Sequence, residues 1–392
     1  MLISQKSTAS LRDRIQTRRE VFCRGLFLSA RWFVLSQVAE RGVHVAVLPN
    51  REAAEYCAAD LYNLVEGDRV FFLPESGRSV ERSNYKSSLG VQRTAAIGKL
   101  LERAGDSPVR PANDDMMVIV TYPEALAEDI PATQTIRDAV FSIAEGQEIS
   151  HDEIIRILSG QGFEKVDFVS APGQYAIRGS IVDIFSFSES FPYRISFWGN
   201  EIESIHSFDC NTQLSKEKVA KADIISDVVS GGESQGQPLT DIFPAESCIW
   251  LDSADMYSRE SFYPALTRFR HIYIDAPLSY SGDDFVWFQI SPQPTFNKNF
   301  ELLTEDIRTH LENGYRVLIY GEKEQQLERI RSILSQNGGL QPQFISGQNI
   351  HNGFIDAQDR ICCYSDHEIS TVSTASACAG RWKRASSSRS TT

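Results

Sequence analysis

The sequence lacks several features that would assign it to a particular class of protein. Its seven cysteines include no C-x-x-C pair, so we expect no zinc or disulfide framework and a cytoplasmic location. Its longest apolar run, residues 25–36, is interrupted by Arg31 and is too short to span a membrane. Lys and Arg number 39 against 52 Asp and Glu, which argues for weak or no DNA binding.

An intact phosphate loop is also missing. The motif G-x-x-x-x-G-K-[ST] needs glycines for close approach to phosphate, a lysine for its charge and a hydroxyl for magnesium. The nearest match runs from Gly25 through Ser29, but Ala30 replaces the second glycine, Arg31 the lysine and Trp32 the hydroxyl residue. Because tryptophan cannot bind magnesium, we expect a degenerate phosphate loop, no catalytic residues, no cofactor and no nucleotide hydrolysis.

Metal and acid–base chemistry are not indicated either. His151, in the first turn of a helix, and His206, in a strand, have no partner at metal-binding spacing, which favours solvated or capping roles. Glu201 and Glu203 alternate with apolar residues along a strand, which favours a solvated face over paired-carboxylate chemistry.

What the sequence does have is an alternation of short apolar strands and amphipathic helices. This pattern predicts an α/β multidomain protein whose first domain is a mostly parallel, doubly wound sheet. The tail is rich in Ser and Thr and has no acidic residue, which predicts disorder. We predict a flexible N-terminus (1–19), an α/β domain with the degenerate loop (20–138), an inserted β-rich α+β domain (139–222), a mixed domain (223–291), a small C-terminal α/β domain (292–369) and a disordered tail (370–392).

Within the inserted domain, residues 171–209 predict three strands and a tight hairpin. Residues 198–201, Trp-Gly-Asn-Glu, predict a two-residue turn with positive φ at both Gly199 and Asn200. Regular alternation from this turn places Arg194 opposite Ile205, and places Arg194 and Trp198 on one face. Ile195 and Phe197 then share the buried face, and Arg178 ends the preceding strand, 174–178.

Two interpretations of these residues remain open at this point. Arginine and tryptophan on a rigid sheet are typical of a protein-binding hot spot. Alternatively, Arg194 forms an exposed ion pair with Glu201 and Glu203, worth under about 1 kcal/mol, and Trp198 is a partly covered edge residue.

Two runs carry a family resemblance: Arg-Gly-Ser-Ile-Val-Asp-Ile-Phe at 178–185, and Pro-Tyr-Arg-Ile-Ser-Phe-Trp-Gly-Asn-Glu-Ile-Glu at 192–203. They resemble the bacterial transcription-repair coupling factors (Mfd) and, more distantly, the excision-repair helicase UvrB. That family is an ATP-driven DNA translocase that displaces stalled RNA polymerase and recruits the repair subunit UvrA. The resemblance covers most of residues 20–369 and implies a UvrB-like N-terminal module, with a degenerate RecA-like fold and no ATPase activity.

The resemblance also implies a site and its partners. The family's UvrA-contacting arginines fall on Arg178 and Arg194, and its contacting aromatic, usually phenylalanine, falls on Trp198. UvrA is the implied partner, and RNA polymerase is a partner only of the full-length family protein. The alternative is a helicase-related fragment with residual ATP or damaged-DNA binding.

The similarity changes abruptly after residue 369. The family continues Ile-Phe-Asp-Arg-Phe-His where this chain has Ile-Ser-Thr-Val-Ser-Thr, at 369–374. Removing one base from codons for the first peptide produces the second, so we expect a truncation or frameshift there. The motor, the polymerase-binding domain and the C-terminal domain that masks the UvrA-binding surface are then expected to be missing.

Overall fold

The computed structural model describes residues 3–66, 69–76, 84–104, 115–138, 140–187, 189, 191–210, 212–225, 236–253, 260–275, 285–336 and 339–370. The helices are α1 (Gln5–Thr17), α2 (Ala30–Val38), α3 (Arg51–Leu64), α4 (Asn84–Ala104), α5 (Pro123–Leu126), α6 (Thr133–Asp138), α7 (His151–Gly160), α8 (Tyr263–Leu266), α9 (Phe300–Glu312), α10 (Glu324–Gln336) and α11 (Asp366–Ser370). Within these ranges no helix is both long and apolar enough to cross a membrane.

The strands follow the same chain order. They are β1 (Glu20–Arg24), β2 (Val43–Val47), β3 (Val70–Phe72), β4 (Met117–Thr121), β5 (Asp129–Pro131), β6 (Phe141–Ala144), β7 (Glu164–Lys165), β8 (Gln174–Arg178), β9 (Ile181–Ile184), β10 (Tyr193–Trp198), β11 (Glu201–Phe208), β12 (Ser215–Val219), β13 (Lys221–Ile224), β14 (Gly236–Pro238), β15 (Cys248–Asp252), β16 (Arg270–Ile274), β17 (Phe285–Trp287), β18 (Ile290–Pro292), β19 (Arg316–Gly321), β20 (Gln343–Ser346), β21 (Phe354–Asp356) and β22 (Ile361–Ser365).

A seven-stranded parallel sheet, in the order β17-β1-β16-β15-β2-β4-β3, forms the largest unit. Every residue of β2, β4 and β15 is buried, because helices cover both faces of the sheet. The apolar cluster on one face includes residues of α1, α2 and α3, and the cluster on the other includes residues of α4. The predicted α/β multidomain class with a parallel sheet is therefore confirmed.

The strands of this sheet come from two separate parts of the sequence. We predicted residues 223–291 as a mixed domain, but β15, β16 and β17 pair with β2 and β1 and complete the seven-stranded sheet. Local sequence predicts strands near β15 and β16 but cannot show which sheet they join. The other domain boundaries remain predictions.

The N-terminal segment differs from its prediction. Residues 5–17 of the supposedly flexible region 1–19 form α1, because Leu11 and Ile15 share one helix face and pack into the core. The backbone N–H of Ser4 donates to Asp356 Oδ2 at 2.6 Å, and that of Gln5 donates to Asp359 Oδ2 at 2.9 Å. These carboxylates satisfy N–H groups that the helix itself leaves without acceptors.

The six-stranded sheet, in the order β12-β11-β10-β9-β8-β7, is antiparallel except for the β7–β8 pair. Its buried face packs against α7 through Ile154 and Leu158, and the pair β6–β13 contributes to the same core. Ser150 begins α7 by accepting a hydrogen bond from the N–H of Glu153 at 3.2 Å. We call the other face of the sheet the open face, although a small apolar cluster of Val169, Ala176 and Phe208 covers part of it.

A five-stranded sheet, in the order β18-β21-β22-β19-β20, forms the third unit with α9 and α10. Cys362 lies in the apolar core of this third unit, whereas Cys363 lies in the cluster that this unit shares with the seven-stranded sheet. The two neighbouring cysteines therefore point to opposite faces of the five-stranded sheet, as expected for a strand. The predicted disordered tail lies outside the described residues, apart from Ser370 at the end of α11.

Candidate protein-binding surface

The hairpin between β10 and β11 closes as predicted, with one difference in its turn. Trp198 pairs with Glu201 and Phe197 with Ile202. Gly199 has a φ of +65°, but Asn200 does not adopt a positive φ, so the prediction for Asn200 is wrong. Positive φ at the first central residue alone is the pattern of a type II′ turn.

Beyond the turn, the register departs from simple alternation. Ser196 pairs with Ser204 and Arg194 with His206, so the predicted opposition of Arg194 and Ile205 is wrong. Ile202 and Ile205 are both buried although they are three residues apart, and alternation alone would place them on opposite faces. One extra residue in β11, a β-bulge, resolves this conflict and keeps both isoleucines in the core.

The two faces of β10 carry the predicted residues. Ile195 and Phe197 are buried against α7, while Arg194 and Ser196 lie on the open face. Trp198 ends the strand with 79% of its surface exposed. The alternative in which Trp198 is a partly covered edge residue is therefore wrong.

A single buried carboxylate connects the two arginines. Asp183, 1% exposed, lies directly opposite Arg194 on β9 and accepts from its Nε at 2.8 Å and its Nη2 at 2.9 Å. Arg178 Nη2 donates to the same carboxylate. One negative charge thus faces two positive ones, and this cluster keeps a net positive charge.

Asp183 also explains why the predicted ion pair of Arg194 with Glu201 and Glu203 is wrong. Arg194 reaches across β9, and its Nη2 additionally donates to Gln213 Oε1 at 2.9 Å. The hydrogen bond to Asp183 raises the pKa of Arg194 above its usual range. Sequence reasoning missed Asp183, although an acidic residue between Val182 and Ile184 in a buried strand signals a cationic partner.

Aromatic rings complete the environment of the arginines. The Arg194 guanidinium lies 4.1 Å from the ring centre of Phe208, which is fully buried. The Arg178 guanidinium lies 4.8 Å from the ring centre of Phe168, which is 62% exposed. The open face therefore combines fixed cations with exposed aromatic surface, which suits binding rather than acid–base chemistry. We call Arg178, Arg194, Trp198 and Phe168 the arginine–aromatic surface.

The residues of the candidate phosphate loop lie elsewhere, after β1. Gly25 has a φ of +68°, and a side chain there would collide with the Phe288 carbonyl oxygen, so the chain turns at Gly25 and α2 begins only at Ala30. Ser29 Oγ accepts from the N–H of Asn352 at 2.9 Å, and Trp32 is buried.

Arg31 is bound on both sides by this protein's own oxygens. Its Nη1 donates to Asp252, and its Nε donates to the Leu28 carbonyl at 2.9 Å. A cleft of about 770 Å³ opens beside these residues.

The comparisons with known proteins address the first of these two regions. Residues 141–228 match the family model described as the UvrB interaction domain, a range that begins with β6 and extends past β13. The six-stranded sheet and the residues of the arginine–aromatic surface lie within this matched range. The transcription-repair-coupling factor of Bacillus subtilis is 29% identical over 176 residues, 45% of this chain and 14% of that protein.

Two further relatives are another transcription-repair-coupling factor and a UvrABC system protein. The transcription-repair-coupling factor of Myxococcus xanthus is 28% identical over 225 residues (55% of this chain, 18% of that protein), and UvrABC system protein B of Lactococcus lactis is 29% identical over 143 residues (36% and 19%). The resemblance to a UvrB-like part of a transcription-repair coupling factor is thereby confirmed. The chain spans under a fifth of the length of these relatives. A solved structure titled "Crystal structure of GtfA/B complex" covers 71% of this chain at 10% identity with a TM-score of 0.11, too low to support any argument.

Proposed function

We propose that this chain recruits the repair protein UvrA through Arg178, Arg194 and Trp198. The match to the UvrB interaction domain and the names of the relatives support a role in transcription-coupled repair. The observation that carries the proposal is the 79% exposure of Trp198 on the same open face as two arginines fixed by Asp183. A large exposed ring on the same sheet face as fixed cations is the composition of an interface hot spot.

The arrangement favours binding because it is ordered before the partner arrives. Arg194 makes hydrogen bonds to Asp183 and Gln213, so little side-chain freedom remains to be lost on association. Arg178 is 33% exposed and keeps donors that its bond to Asp183 does not use. The complementary partner surface therefore carries a carboxylate near the arginines and an apolar recess for the indole ring.

We also propose that the chain does not hydrolyse nucleotides. Trp32 is buried where a phosphate loop places its magnesium-binding hydroxyl, and Arg31 is bound to Asp252 where the loop places its free lysine. The alternative, residual ATP or DNA binding, would be favoured by stabilisation of the protein against heat by MgATP, or by duplex binding with a steep salt dependence.

The sharpest test replaces the exposed indole. Calorimetric titration with UvrA should show a loss of about 30-fold or more in affinity for Trp198→Ala, corresponding to roughly 2 kcal/mol. Trp287→Ala is the matched control, because Trp287 is 60% exposed on β17 of a different sheet, and it should bind as the wild type does. Equal affinity of Trp198→Ala and the wild type for UvrA rejects the proposed contact.

A second variant tests the arginines. Arg194→Lys keeps the charge but loses the planar guanidinium that donates two hydrogen bonds to Asp183. It should therefore weaken UvrA binding nearly as much as Arg194→Ala. Full retention of affinity by the lysine variant would mean that only the charge matters.

A further inference from the structure

The cleft beside α2 lies at the position where open parallel sheets bind their ligands. It is lined by residues that directly follow β1 and β2 and by residues at the ends of β15 and β16. Ligands of open α/β sheets bind outside the carboxyl ends of the strands. His351 and Asn352, from the loop before β21, close the opposite side.

Its charge is opposite to that of a phosphate-binding site. The lining contains four carboxylates, those of Glu52, Asp60, Asp252 and Asp275. Among the described residues that line the cleft, Arg31 is the one arginine or lysine, and it is bound to Asp252. Burial lowers the pKa of His351, so this side chain adds no positive charge near pH 7. An anionic ligand is therefore repelled and a cationic one attracted.

One of these carboxylates is buried with part of its hydrogen-bonding capacity unused. Asp60, on α3, is 2% exposed, and its Oδ1 accepts from the N–H of His351 at 2.7 Å. Its Oδ2 accepts no hydrogen bond of normal geometry among the residues that the structure describes, and the nearby Ser29 hydroxyl offsets the effect of burial on this carboxylate only in part. Burial raises the pKa of Asp60 to about 6, so near pH 7.5 the carboxylate is charged and incompletely satisfied. Such a group destabilises a fold unless a donor is supplied.

Aromatic rings line the same cleft as this carboxylate. Tyr56 stacks on His351 with ring centres 3.4 Å apart, and Phe27 and Trp32 also line the cleft. Carboxylates combined with ring faces are the environment that binds organic cations, because the rings attract positive charge and tolerate an apolar stem.

We propose that this cleft binds an organic cation, a guanidinium or ammonium group, with Asp60 as its buried acceptor. The site is separate from the arginine–aromatic surface and does not depend on UvrA binding. The cation comes either from a small free molecule, such as a polyamine, or from an arginine side chain of a protein partner.

The test measures thermal unfolding of the full chain at pH 7.5 with N-acetyl-arginine amide, using N-acetyl-citrulline amide as the neutral control of the same shape. At saturation the arginine compound should raise Tm by about 2 to 5 °C and the citrulline compound should have no effect. Asp60→Asn should raise Tm without ligand and abolish the shift with ligand. Asp13→Asn, an exposed change on α1, should behave as the wild type.

A second variant protects the test against a folding defect in Asp60→Asn. Partial burial and the neighbouring Asp252 raise the pKa of Asp275, which lines the cleft, so Asp275→Asn should fold with a slight rise in Tm while weakening N-acetyl-arginine amide about three-fold. Spermidine and an extended peptide with one central arginine distinguish a small free cation from an arginine of a protein partner. The compound that binds more tightly identifies which of the two the cleft binds.

Three outcomes would overturn the proposal. These are the absence of a shift with every cation, an equal shift with the citrulline compound, and stronger stabilisation by MgATP than by any cation.

Discussion

Two buried aspartates show how differently the same side chain is used in two regions of this molecule. Asp183, 1% exposed, gives both carboxylate oxygens to arginine N–H groups on the open face of the six-stranded sheet. Asp60, 2% exposed, accepts one hydrogen bond from a backbone N–H, and within the described ranges its other oxygen has only the Ser29 hydroxyl nearby, without a hydrogen bond of normal geometry. A satisfied buried carboxylate orders its neighbours, whereas an unsatisfied one costs stability and indicates a missing ligand.

The largest expected effect comes from removing the satisfied carboxylate. Asp183→Ala leaves Arg178 and Arg194 close together without a counter-charge, and should lower the free energy of unfolding by about 3 to 5 kcal/mol. Urea denaturation measures this loss. Glu203→Ala, an exposed position on β11, is the control and should change stability by under about 0.5 kcal/mol. A loss below about 1 kcal/mol for Asp183→Ala would remove the contrast between the two aspartates.

The second largest effect is a gain in stability on removing the charge of Asp60, and this gain depends on pH. The folded-state pKa of Asp60 is about 6 and its ordinary value is 3.8. Below pH 3.8 the side chain is neutral in both states and costs nothing. As pH rises towards and through 6, the unfolded chain releases this proton more readily, so the folded state loses up to about 3 kcal/mol.

Asp60→Asn should therefore raise the free energy of unfolding by up to about 3 kcal/mol at pH 7.5 and by much less at pH 4. Urea denaturation at the two pH values measures the difference, with Asp13→Asn as the exposed control. An equal change at both pH values, or destabilisation at pH 7.5, contradicts the assignment of Asp60 as an uncompensated charge.

Local pattern accounts for much of the fold. Strand β8 has the predicted bounds, 174–178, because its apolar residues and end signals lie within one short segment. Helix α1 was missed because its capping carboxylates, Asp356 and Asp359, are some 350 residues away in the sequence. For the same reason the sequence could not assign β15–β17 to the first sheet.

The two candidate sites also differ in how much the sequence could predict of them. The exposure of Trp198 followed from strand alternation, and its role and those of Arg178 and Arg194 followed from the family resemblance and remain proposals. The bulge in β11 had a signal that was overlooked, the three-residue spacing of Ile202 and Ile205. The cleft had none, because it is assembled from the ends of four strands that are far apart in the sequence.

A third prediction separates binding from folding on the arginine–aromatic surface. Trp198→Ala should lower UvrA affinity by about 2 kcal/mol but change the free energy of unfolding by under about 0.5 kcal/mol, because the indole is mostly exposed. Parallel calorimetry and urea denaturation measure the two quantities. A stability loss comparable to the loss in affinity would mean that the indole serves the domain's own packing.

The smallest effect is the difference in stability between variants of the two arginines that share Asp183. Arg178→Ala removes a partly exposed cation that makes one hydrogen bond to Asp183. Because Arg194 still donates two hydrogen bonds to this carboxylate, the free energy of unfolding should fall by under about 1 kcal/mol. Arg194→Ala also removes the contacts to Gln213 and the buried Phe208 ring, and should cost about 1 to 3 kcal/mol. Urea denaturation of both variants ranks them. If Arg178→Ala proves the more damaging, then Asp183 is anchored chiefly by Arg178, and Arg194 becomes the arginine that is free to engage UvrA.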